Sequence, residues 1–467
     1  MVIASIDIQN GKVVQLKQGA ELILQRENAG ELAEEFDRYG EVAVIDLDAA
    51  MGKGSNIEMI KPLLRKAECR VGGGVRTPEQ AKELVSLGAR KIIVGSSAFR
   101  DGGKFAVNVP FLEAMAKKIG RERLIVAVDA RGGEIVVDGW KTPTGLDLFE
   151  SAKAVEPFAG ELLFTCVERE GTMTGIDLAP VRKLREAVSC QITVAGGVST
   201  LAEIEEIAAL GCDVQLGMAL YTGKINLADA FNVSLNWKKG EVSPPSAGVP
   251  PATPPPDNST RTGERVDEQM QHGVGQEKAA VTIKFEGPPL LPLIVQSPGG
   301  QILMTGFTDA SALAETFKRG NVCFHSRTRN KLWMKGENSG NILKLLRLRA
   351  DCDRDALLAT AQPAGPVCHT GAWSCFANNR DYTWQFLQDI IAERFRNPAP
   401  GSYTATLDDD LVREKIMEEA KELCEAKARD EIVWEAADIL YFSTVLMTRA
   451  GVTVQEILDE LDRRHKK

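Results

Sequence analysis

Two stretches of the sequence follow one pattern: ASIDIQNGKVV at residues 4–14 and VAVDARGGEIVV at residues 126–137. Asp7 in the first stretch matches Asp129 in the second, 122 positions later. Further pairs keep nearly the same separation, namely Gly11 and Gly133, Asp46 and Glu168, Asp48 and Glu170, Gly95 and Gly217, and the glycines at 72–74 and 196–197. Matches that recur in the same order predict an internal duplication of this part of the chain.

Short β-branched runs alternate with amphipathic helical stretches through residues 1–236. The candidate strands are IASIDI, VAVIDLD, CRVGG, KIIVGSS, LIVAVDA, LLFTCVE, QITVAGG and DVQLG. Strands separated by helices predict a parallel sheet. Eight such units in this length favour a closed (β/α)₈ TIM barrel with an internal twofold repeat over an open sheet.

The composition narrows the classes of partner. The chain has 467 residues, a net charge of −9 and a pI near 5.3, without a long Lys/Arg block. An acidic chain of this kind argues against nucleic-acid binding. No apolar run approaches the roughly 20 residues of a membrane span, and the first residues do not resemble a targeting segment. We therefore expect a cytoplasmic protein with neither nucleic acid nor membrane as partner.

A proline-rich stretch divides the chain. Seven prolines fall between residues 244 and 256, in a polar segment that cannot bury enough apolar surface to fold. We predict a barrel at 1–236, a linker at 237–282, a β-rich α+β zinc domain at 283–396 and an all-α domain at 404–467.

Glycine-rich turns after the barrel strands predict two phosphate sites. VGGGVR and IVGSSAF follow strands three and four, and VAGGVS and QLGMAL follow strands seven and eight. Backbone N–H groups at such turns bind anions, and the last two strands of these barrels commonly carry a phosphate site. Two related sites indicate a ligand with two phosphates. The candidate phosphate-binding residues are Gly73, Gly74, Gly95, Gly196, Gly197 and Gly217.

Asp7 and Asp129 end strands one and five, so they face each other across the predicted barrel mouth. Paired carboxylates suit general acid–base chemistry on a small substrate. The barrel has no histidine, so this chemistry falls to carboxylates, Cys or Lys. The alternative for either aspartate alone is a loop cap.

These motifs, with VIDLDAA, EREGTMTG and GMALY, resemble the phosphoribosylformimino-AICAR-phosphate isomerase family of histidine biosynthesis. The resemblance implies a cofactor-free Amadori rearrangement of an aminoaldose to an aminoketose. It also implies that Asp7 removes the C2′ proton, that Asp129 is the acid opening the ribose ring, and that Trp140 is an aromatic platform.

The barrel departs from the family pattern at three positions. Glu170, a further catalytic candidate, replaces the usual Asp of a DGT motif, Gln15 replaces an Arg, and Ala49 replaces a Gly. Three alternatives follow: an active isomerase, a catalytically silent barrel, or the related cyclase of imidazole glycerol phosphate synthase, which uses ammonia from a partner glutaminase.

The zinc domain is predicted from DCDRD at 351–355 and from two cysteines around HTGAW. A strand would turn Asp351, Asp353 and Asp355 to one face as Mg²⁺ ligands and Cys352 to the other. Cys352, Cys368 and Cys375 could hold Zn²⁺ by three thiolates with a fourth position open to water, as in catalytic zinc sites. Arg327 and Arg329 suit phosphate recognition.

SRTRNKLWMKGENSGN, DCDRDAL and PAGPVCHTG resemble the phosphoribosyl-AMP cyclohydrolase family. The resemblance implies hydrolytic opening of the purine six-membered ring at the N1–C6 bond. It implies a homodimer whose zinc is bound by cysteines of both subunits, and His369 as a proton shuttle.

The third unit carries carboxylates at helical spacing beside apolar residues. The candidate magnesium ligands are Glu418, Glu419, Glu422, Glu435 and Asp438. Two acidic motifs 16 residues apart in apolar surroundings are costly without a cation. KIMEEAKEL and WEAADILYF resemble phosphoribosyl-ATP pyrophosphohydrolase, which implies Mg²⁺-dependent cleavage between the α- and β-phosphates, with Lys415 as a phosphate contact. A house-cleaning hydrolase of noncanonical nucleotides is the alternative.

Together the resemblances predict a multifunctional enzyme of histidine biosynthesis that acts on phosphoribosyl nucleotides with Zn²⁺ and Mg²⁺. The alternative is a bifunctional hydrolase joined to a silent or cyclase-like barrel.

Overall fold

The computed structural model describes residues 1–235, 290–327, 329–377 and 379–465. Within 1–235, eight parallel strands close into a barrel, because the last strand pairs with the first. All eight correspond to strands predicted from the sequence, so the (β/α)₈ barrel is confirmed. The predicted linker at 237–282 lies outside the described residues.

The elements of the barrel unit follow in chain order, together with two 3₁₀ turns at Ser96–Phe99 and Arg121–Arg123. They are β1 (Val2–Gln9), β2 (Lys12–Lys17), β3 (Glu21–Arg26), α1 (Ala29–Asp37), β4 (Val42–Asp46), α2 (Leu47–Ala50), α3 (Ile57–Lys66), β5 (Cys69–Gly72), α4 (Pro78–Ser86), β6 (Lys91–Val94), β7 (Arg100–Asp101), β8 (Lys104–Phe105), α5 (Val109–Ile119), β9 (Leu124–Ala127), β10 (Ala130–Arg131), β11 (Glu134–Val137), β12 (Thr142–Asp147), α6 (Leu148–Val155), β13 (Glu161–Thr165), α7 (Leu178–Ala187), β14 (Gln191–Ala195), α8 (Leu201–Ala209), β15 (Asp213–Leu216), α9 (Met218–Tyr221) and α10 (Leu227–Ser234).

The predicted duplication is visible in the backbone. Gly95 has φ −116° and ψ −103°, and its counterpart Gly217 has φ −118° and ψ −99°. Thr77 and Thr200 cap α4 and α8 with nearly equal dihedral angles, and each forms a capping box with the third helical residue. The two halves therefore share local geometry as well as sequence.

Two of the repeated glycines are required by close backbone contacts. Gly73 and Gly196 have φ of 96° and 95°, which side-chain-bearing residues rarely adopt. A Cβ on Gly73 would lie 2.1 Å from the Asp46 carbonyl oxygen, and one on Gly196 would lie 2.6 Å from that of Cys166. The glycines let these loops pack tightly at the carboxyl ends of the strands.

A buried ionic network holds together the amino-terminal ends of the barrel strands. Arg70 is only 2% exposed and pairs with Glu41 and Glu161. The Lys91 amine lies 2.9 Å from Glu161 and 3.2 Å from Glu41. Burial opposes ionisation of Glu161, but the charges of Arg70 and Lys91 outweigh it and lower its pKa to about 2. Two cations therefore balance two carboxylates at this face.

We expect Arg70→Met to lower the free energy of unfolding by about 3–5 kcal/mol, because removing one partner leaves two buried carboxylates facing one Lys91. Denaturant unfolding of the full chain, followed by circular dichroism, measures the change. The matched control is Arg182→Met, which removes an exposed pair with Glu206 and should cost less than about 1 kcal/mol. Equal losses in the two variants would contradict a stabilising role for the buried network.

The second unit is a four-stranded sheet in the order β17-β16-β21-β20 with a separate hairpin, and the third unit is helical. The elements are β16 (Leu291–Gln296), β17 (Ile302–Thr308), α11 (Ala310–Arg319), β18 (Cys323–Ser326), β19 (Lys331–Met334), β20 (Leu343–Ala350), β21 (Leu357–Pro363), α12 (Trp384–Arg396), α13 (Tyr403–Thr406), α14 (Asp409–Glu425), α15 (Arg429–Arg449) and α16 (Val454–His465). A β-rich unit followed by helices agrees with the predicted fold class.

Helix α12 packs with the helices that follow it. Its Leu387 and Ile391 share a buried cluster with Val412 of α14 and Val445 of α15, and the Trp384 indole N–H donates to Thr444 at 2.8 Å. The predicted boundary at residue 396 places this helix in the second unit. That boundary stays a prediction, while the packing joins α12 to the third unit.

In the described part of the chain, no helix combines the length and the apolar character that crossing a membrane requires.

Candidate active and metal-binding sites

A cavity of about 260 Å³ opens at the carboxyl ends of the barrel strands. Its floor includes the apolar side chains of Ile93 and Leu163, which belong to a small separate core cluster. Every barrel residue that the sequence analysis selected as a site residue lines this cavity. These residues are Asp7, Gly73, Gly74, Gly95, Asp129, Trp140, Glu170, Gly196, Gly197 and Gly217.

Asp7 lies on β1 and accepts a hydrogen bond of 2.7 Å from the Ser5 hydroxyl. Burial raises the pKa of Asp7 to about 6, although the bond from Ser5 acts in the opposite direction. Asp7 is therefore ionised at neutral pH and is more basic than an ordinary aspartate. A carboxylate with this pKa is suited to remove a proton from a substrate.

Asp129 lies two residues after the end of β9 at Ala127 and is held by two hydrogen-bond donors. The Trp140 indole N–H donates to its Oδ2 at 2.9 Å, and Thr165 donates a second side-chain hydrogen bond. Burial raises the pKa of Asp129 and exceeds the opposing effect of both bonds. Trp140 thus fixes the orientation of this carboxyl group within the cavity.

Glu170 lies in the loop after β13 and shares the cavity with the two aspartates. Burial and the charges of Asp7 and Asp129 raise its pKa to about 7. Near neutral pH this group can therefore release or take up a proton. The replacement of the family's aspartate by a longer glutamate keeps a carboxyl group inside the cavity.

Three polar residues near the cavity were not selected from the sequence. Ser5 and Thr165 hydrogen-bond the aspartates, and Ser5 could have been found because alternation along β1 puts it on the same face as Asp7. Gln15, noted only as a replacement for an arginine, has a buried side-chain nitrogen without a hydrogen-bond partner within the described residues. Its Oε1 lies 2.8 Å from where a Cβ on Gly217 would stand. This amide therefore lies beside a candidate phosphate loop.

The three aspartates of the second unit lie together in an exposed loop. Carboxylate oxygens of Asp351, Asp353 and Asp355 are all within 4.8 Å of one another. The expectation of a strand at this point was wrong, because β20 ends at Ala350 and residues 352–355 form bends. A hydrogen bond with Asp351 and the charges of its two neighbours raise the pKa of Asp355.

The cysteines of this unit are only partly assembled. The Cys368 and Cys375 thiols are in hydrogen-bond contact, and the Thr370 hydroxyl donates to the Cys368 sulfur at 3.1 Å. Cys352 does not join them in a group of three within 4.8 Å, as judged over the described residues. One chain therefore brings together two of the three predicted thiolates.

The other predicted residues of the second unit lie at its surface. His369 places its Nδ1 3.8 Å from the Cys368 sulfur, next to the cysteine pair. The Arg327 guanidinium stacks 3.9 Å above the Phe307 ring, while the Arg329 amide hydrogen-bonds Ser326. The Arg327 and Arg329 side chains are exposed and available to a ligand.

In the third unit, α14 and α15 bring three carboxylates together. Oxygens of Glu419, Glu435 and Asp438 lie within 4.8 Å of one another. Burial raises the pKa of Glu419 and of Glu435, and neighbouring carboxylates add to both shifts. The Glu435 Oε2 atom is buried without a hydrogen-bond partner within the described residues. The group thus has unbalanced negative charge and one unsatisfied acceptor.

The remaining predicted residues of the third unit occupy two environments. Glu422 interacts with both Glu419 and Glu435, so it lies at the edge of the carboxylate group. Glu418 instead pairs with the Lys415 amine at 2.5 Å on the exposed side of α14. Glu418 and Lys415 are not part of the assembled set.

The donor atoms fit the predicted ions to different degrees. Clustered carboxylate oxygens, with raised pKa values and an unsatisfied Glu435 oxygen, are the donors that Mg²⁺ prefers. The Cys368 and Cys375 pair offers two soft ligands suited to Zn²⁺, and a third must come from outside this pair.

The barrel has an internal repeat, and its cavity holds carboxylates together with two sets of glycine-rich loops. A unit with clustered aspartates and cysteines and a pair of helices with clustered carboxylates follow it. This combination is typical of a multidomain enzyme for phosphorylated substrates. Comparison with known families agrees with this class. Family models match at residues 1–226 (histidine biosynthesis protein), 304–377 (phosphoribosyl-AMP cyclohydrolase) and 385–465 (phosphoribosyl-ATP pyrophosphohydrolase).

Individual relatives cover the two parts of the chain separately. The 1-(5-phosphoribosyl)-5-((5-phosphoribosylamino)methylideneamino) imidazole-4-carboxamide isomerase of Methanosphaera stadtmanae is 34% identical over 241 residues, covering 50% of this chain and 98% of the relative. The isomerase of the same name from Methanocaldococcus jannaschii is 35% identical over 243 residues, covering 50% and 100%. The histidine biosynthesis bifunctional protein HisIE of Bacteroides thetaiotaomicron is 40% identical over 186 residues, covering 38% and 92%.

The chain belongs to the histidine biosynthesis protein family in its barrel and to the phosphoribosyl-AMP cyclohydrolase and phosphoribosyl-ATP pyrophosphohydrolase families in the rest.

Proposed function

We propose that this chain catalyses three consecutive steps of histidine biosynthesis. The third unit hydrolyses phosphoribosyl-ATP to phosphoribosyl-AMP and pyrophosphate. The second unit adds water across the N1–C6 bond of the adenine ring and opens it. The barrel isomerises the resulting aminoaldose to the aminoketose. Each unit matches the family whose reaction supplies or consumes the substrate of the next.

In the third unit, Glu419, Glu435 and Asp438 are the proposed ligands of Mg²⁺. Bound by these carboxylates, the ion would supply positive charge next to the triphosphate. Glu422 borders the carboxylate group and interacts with Glu435, so its proposed role is to orient the ligands and to add negative charge beside them. Lys415 stays proposed as a phosphate contact. Glu418, predicted as a Mg²⁺ ligand, lies outside the assembled carboxylate group and pairs with Lys415.

In the second unit, Asp351, Asp353 and Asp355 are the proposed Mg²⁺ ligands, and Cys352, Cys368 and Cys375 the proposed Zn²⁺ ligands. Bound by these cysteines, zinc would activate water at neutral pH. His369 stands next to Cys368, where it can pass a proton. Because one chain assembles only two thiols, we propose a homodimer in which Cys352 of one subunit completes the pair of the other.

In the barrel, Asp7 accepts the proton that leaves C2′ of the open-chain sugar, and Asp129 donates a proton to the ring oxygen during ring opening. The raised pKa values of both groups agree with these roles. The glycine loops bind the two phosphates by backbone N–H groups. Glu170, with a pKa of about 7, exchanges protons beside them.

One observation supports the isomerase proposal most strongly: a single cavity gathers Asp7, Asp129 and both pairs of glycine loops. A catalytically silent barrel would function without acid–base groups placed between two candidate phosphate sites, so this arrangement favours an active isomerase. A cytoplasmic location is proposed with this function.

The test is to supply the full chain with phosphoribosyl-ATP, Mg²⁺ and Zn²⁺ and to follow the products by chromatography. We expect the aminoketose to accumulate with release of pyrophosphate. Arrest at the aminoaldose would contradict the isomerase step and leave a bifunctional hydrolase. Equal turnover of free nucleoside triphosphates would favour a house-cleaning role for the third unit.

A further inference from the structure

The second unit packs against the amino-terminal ends of the barrel strands, on the face opposite the cavity. Tyr39 and Phe231 of the barrel and Phe317 of α11 form an aromatic cluster with ring centroids 5.1–6.3 Å apart. The Leu348 amide of β20 donates to the Arg38 carbonyl oxygen at 2.9 Å. The two units therefore meet through both apolar and backbone contacts.

Two arginines of β20 add charge to this interface. Arg347 lies 2.5 Å from one Asp37 carboxylate oxygen, and Arg349 lies 2.9 Å from the other. Arg349 also donates to the Asp37 carbonyl oxygen at 2.6 Å. Asp37 ends α1 of the barrel, so β20, which leads into the loop at residues 351–356 (the aspartate loop), is held against the barrel.

The next contact lies inside the aspartate loop itself. Arg354 stands between Asp353 and Asp355, and its Nη2 lies 2.5 Å from Oδ1 of Asp213 at the start of β15. The two side chains are only 16% and 11% exposed. Arg354 has φ +66°, a left-handed conformation that a side-chain-bearing residue keeps only when its surroundings hold it there.

The rest of the loop offers little to hold its shape. Asp351, Cys352, Asp353 and Asp355 are exposed, and the three carboxylates, whose oxygens lie within 4.8 Å of one another, repel one another when ionised. Within the loop, Asp351 and Ala356 exchange hydrogen bonds of 3.1 Å that close its ends. Arg354 is thus the residue through which the barrel can fix the loop.

We propose that Arg354 is a positioning residue: its contact with Asp213 lets the barrel set the conformation of residues 351–356 and so hold the metal ligands of the second unit. This inference rests on the proposed cyclohydrolase function, since it gives the loop its ligand role. The barrel would then serve two reactions, one in its cavity and one by supporting a loop at its opposite face.

The test compares Arg354→Gly and Asp213→Ala in the full chain. Glycine accepts the positive φ, so Arg354→Gly removes the contact without new backbone strain, and Asp213→Ala removes it while leaving the loop sequence unchanged. For both variants we expect hydrogen exchange of the amides at 351–356 in metal-free protein to become about tenfold faster. We also expect zinc to pass to a chromophoric chelator about tenfold faster. Unchanged exchange and release in both variants would overturn the proposal.

The controls separate this contact from other effects. Asp213 also contacts the Met1 amine, which Arg354→Gly leaves in place, so agreement between the variants assigns the effect to Arg354. Arg319→Ala removes an exposed pair with Glu315 in the same unit and should leave both readouts unchanged. If the unmodified chain retains no zinc, the proposed zinc site fails, and hydrogen exchange still decides whether the barrel holds the loop.

Discussion

In the Asp7→Asn variant, formation of the aminoketose should fall by about 10²- to 10⁴-fold, the usual contribution of a positioned general base. Asparagine fills the same space and can still accept the Ser5 hydrogen bond, but it cannot take a proton from the substrate. Hydrolysis of phosphoribosyl-ATP and opening of the adenine ring should continue at the unmodified rates, because their residues lie in other units. The measurement is product chromatography from phosphoribosyl-ATP, in which the aminoaldose should accumulate.

The pH dependence provides an independent readout of the same residue. Asp7 must be ionised to act as a base, and its pKa is about 6. Isomerisation by the unmodified chain should therefore decline as pH falls through about 6, while Asp7→Asn should lack this dependence in its residual rate.

Stability distinguishes a lost base from a damaged fold. The pKa of Asp7 rises on folding from 3.8 to about 6, so the charged carboxylate destabilises the folded state above that pH and ceases to do so below about 3.8. Asp7→Asn should thus increase the free energy of unfolding at pH 8, by up to about 3 kcal/mol. A variant that is both more stable and inactive as an isomerase supports the role of Asp7. Retained isomerisation would contradict it.

The barrel and its cavity could be predicted from the sequence because their signals are local and repeated. The strands alternate with helices, and the glycine loops occur twice. Gly95 and Gly217 occupy equivalent places in the two halves, so each strengthens the prediction made for the other. The position of the Glu170 carboxyl group could not be predicted from the sequence. A change of side-chain length does not reveal whether the carboxyl group still reaches the cavity, which depends on the path of the loop after β13.

Two features of the second and third units could not be predicted from the sequence patterns. Residues 351–355 were predicted as a strand, but β20 ends at Ala350, and Arg354 in the following loop contacts Asp213, which is 141 positions away and which no local pattern reveals. On α14, Glu418 and Glu419 are adjacent and therefore point about 100° apart on the helix. Only Glu419 faces α15, whereas Glu418 pairs with Lys415. The sequence shows which residues are acidic, but the packing of α14 against α15 decides which of these carboxylates come together.

The placement of the sites constrains how intermediates move. The isomerase cavity opens at the carboxyl ends of the barrel strands, while the aspartate loop contacts Asp213 at their amino-terminal ends. Side chains such as Ile93 and Ile125 fill the barrel interior between these ends. The ring-opened intermediate therefore cannot pass through the barrel and must travel around it. We expect a competing isomerase added in excess to capture part of this intermediate.

The second large effect is expected for Glu435→Gln, which should lower cleavage of phosphoribosyl-ATP by at least about 10²-fold. Loss of residues that merely support a metal ligand costs 10- to 100-fold, so loss of a ligand should cost no less. Among the described residues, the buried Glu435 Oε2 atom has no hydrogen-bond partner and lies beside Glu419 and Asp438, so a bound cation would satisfy it. Ring opening should be unaffected when phosphoribosyl-AMP is supplied directly.

Thermal unfolding with and without Mg²⁺ separates ligand loss from misfolding in Glu435→Gln. Removing one of three mutually repelling carboxylates should raise the melting temperature of the metal-free third unit and reduce its further increase with Mg²⁺. The control Glu414→Gln changes an exposed carboxylate on the neighbouring helix α14 and should keep both the activity and the Mg²⁺ response. If Glu435→Gln still gains stability from Mg²⁺ as the unmodified chain does, Glu435 is not a ligand, and the repulsion within this carboxylate group must be relieved in another way.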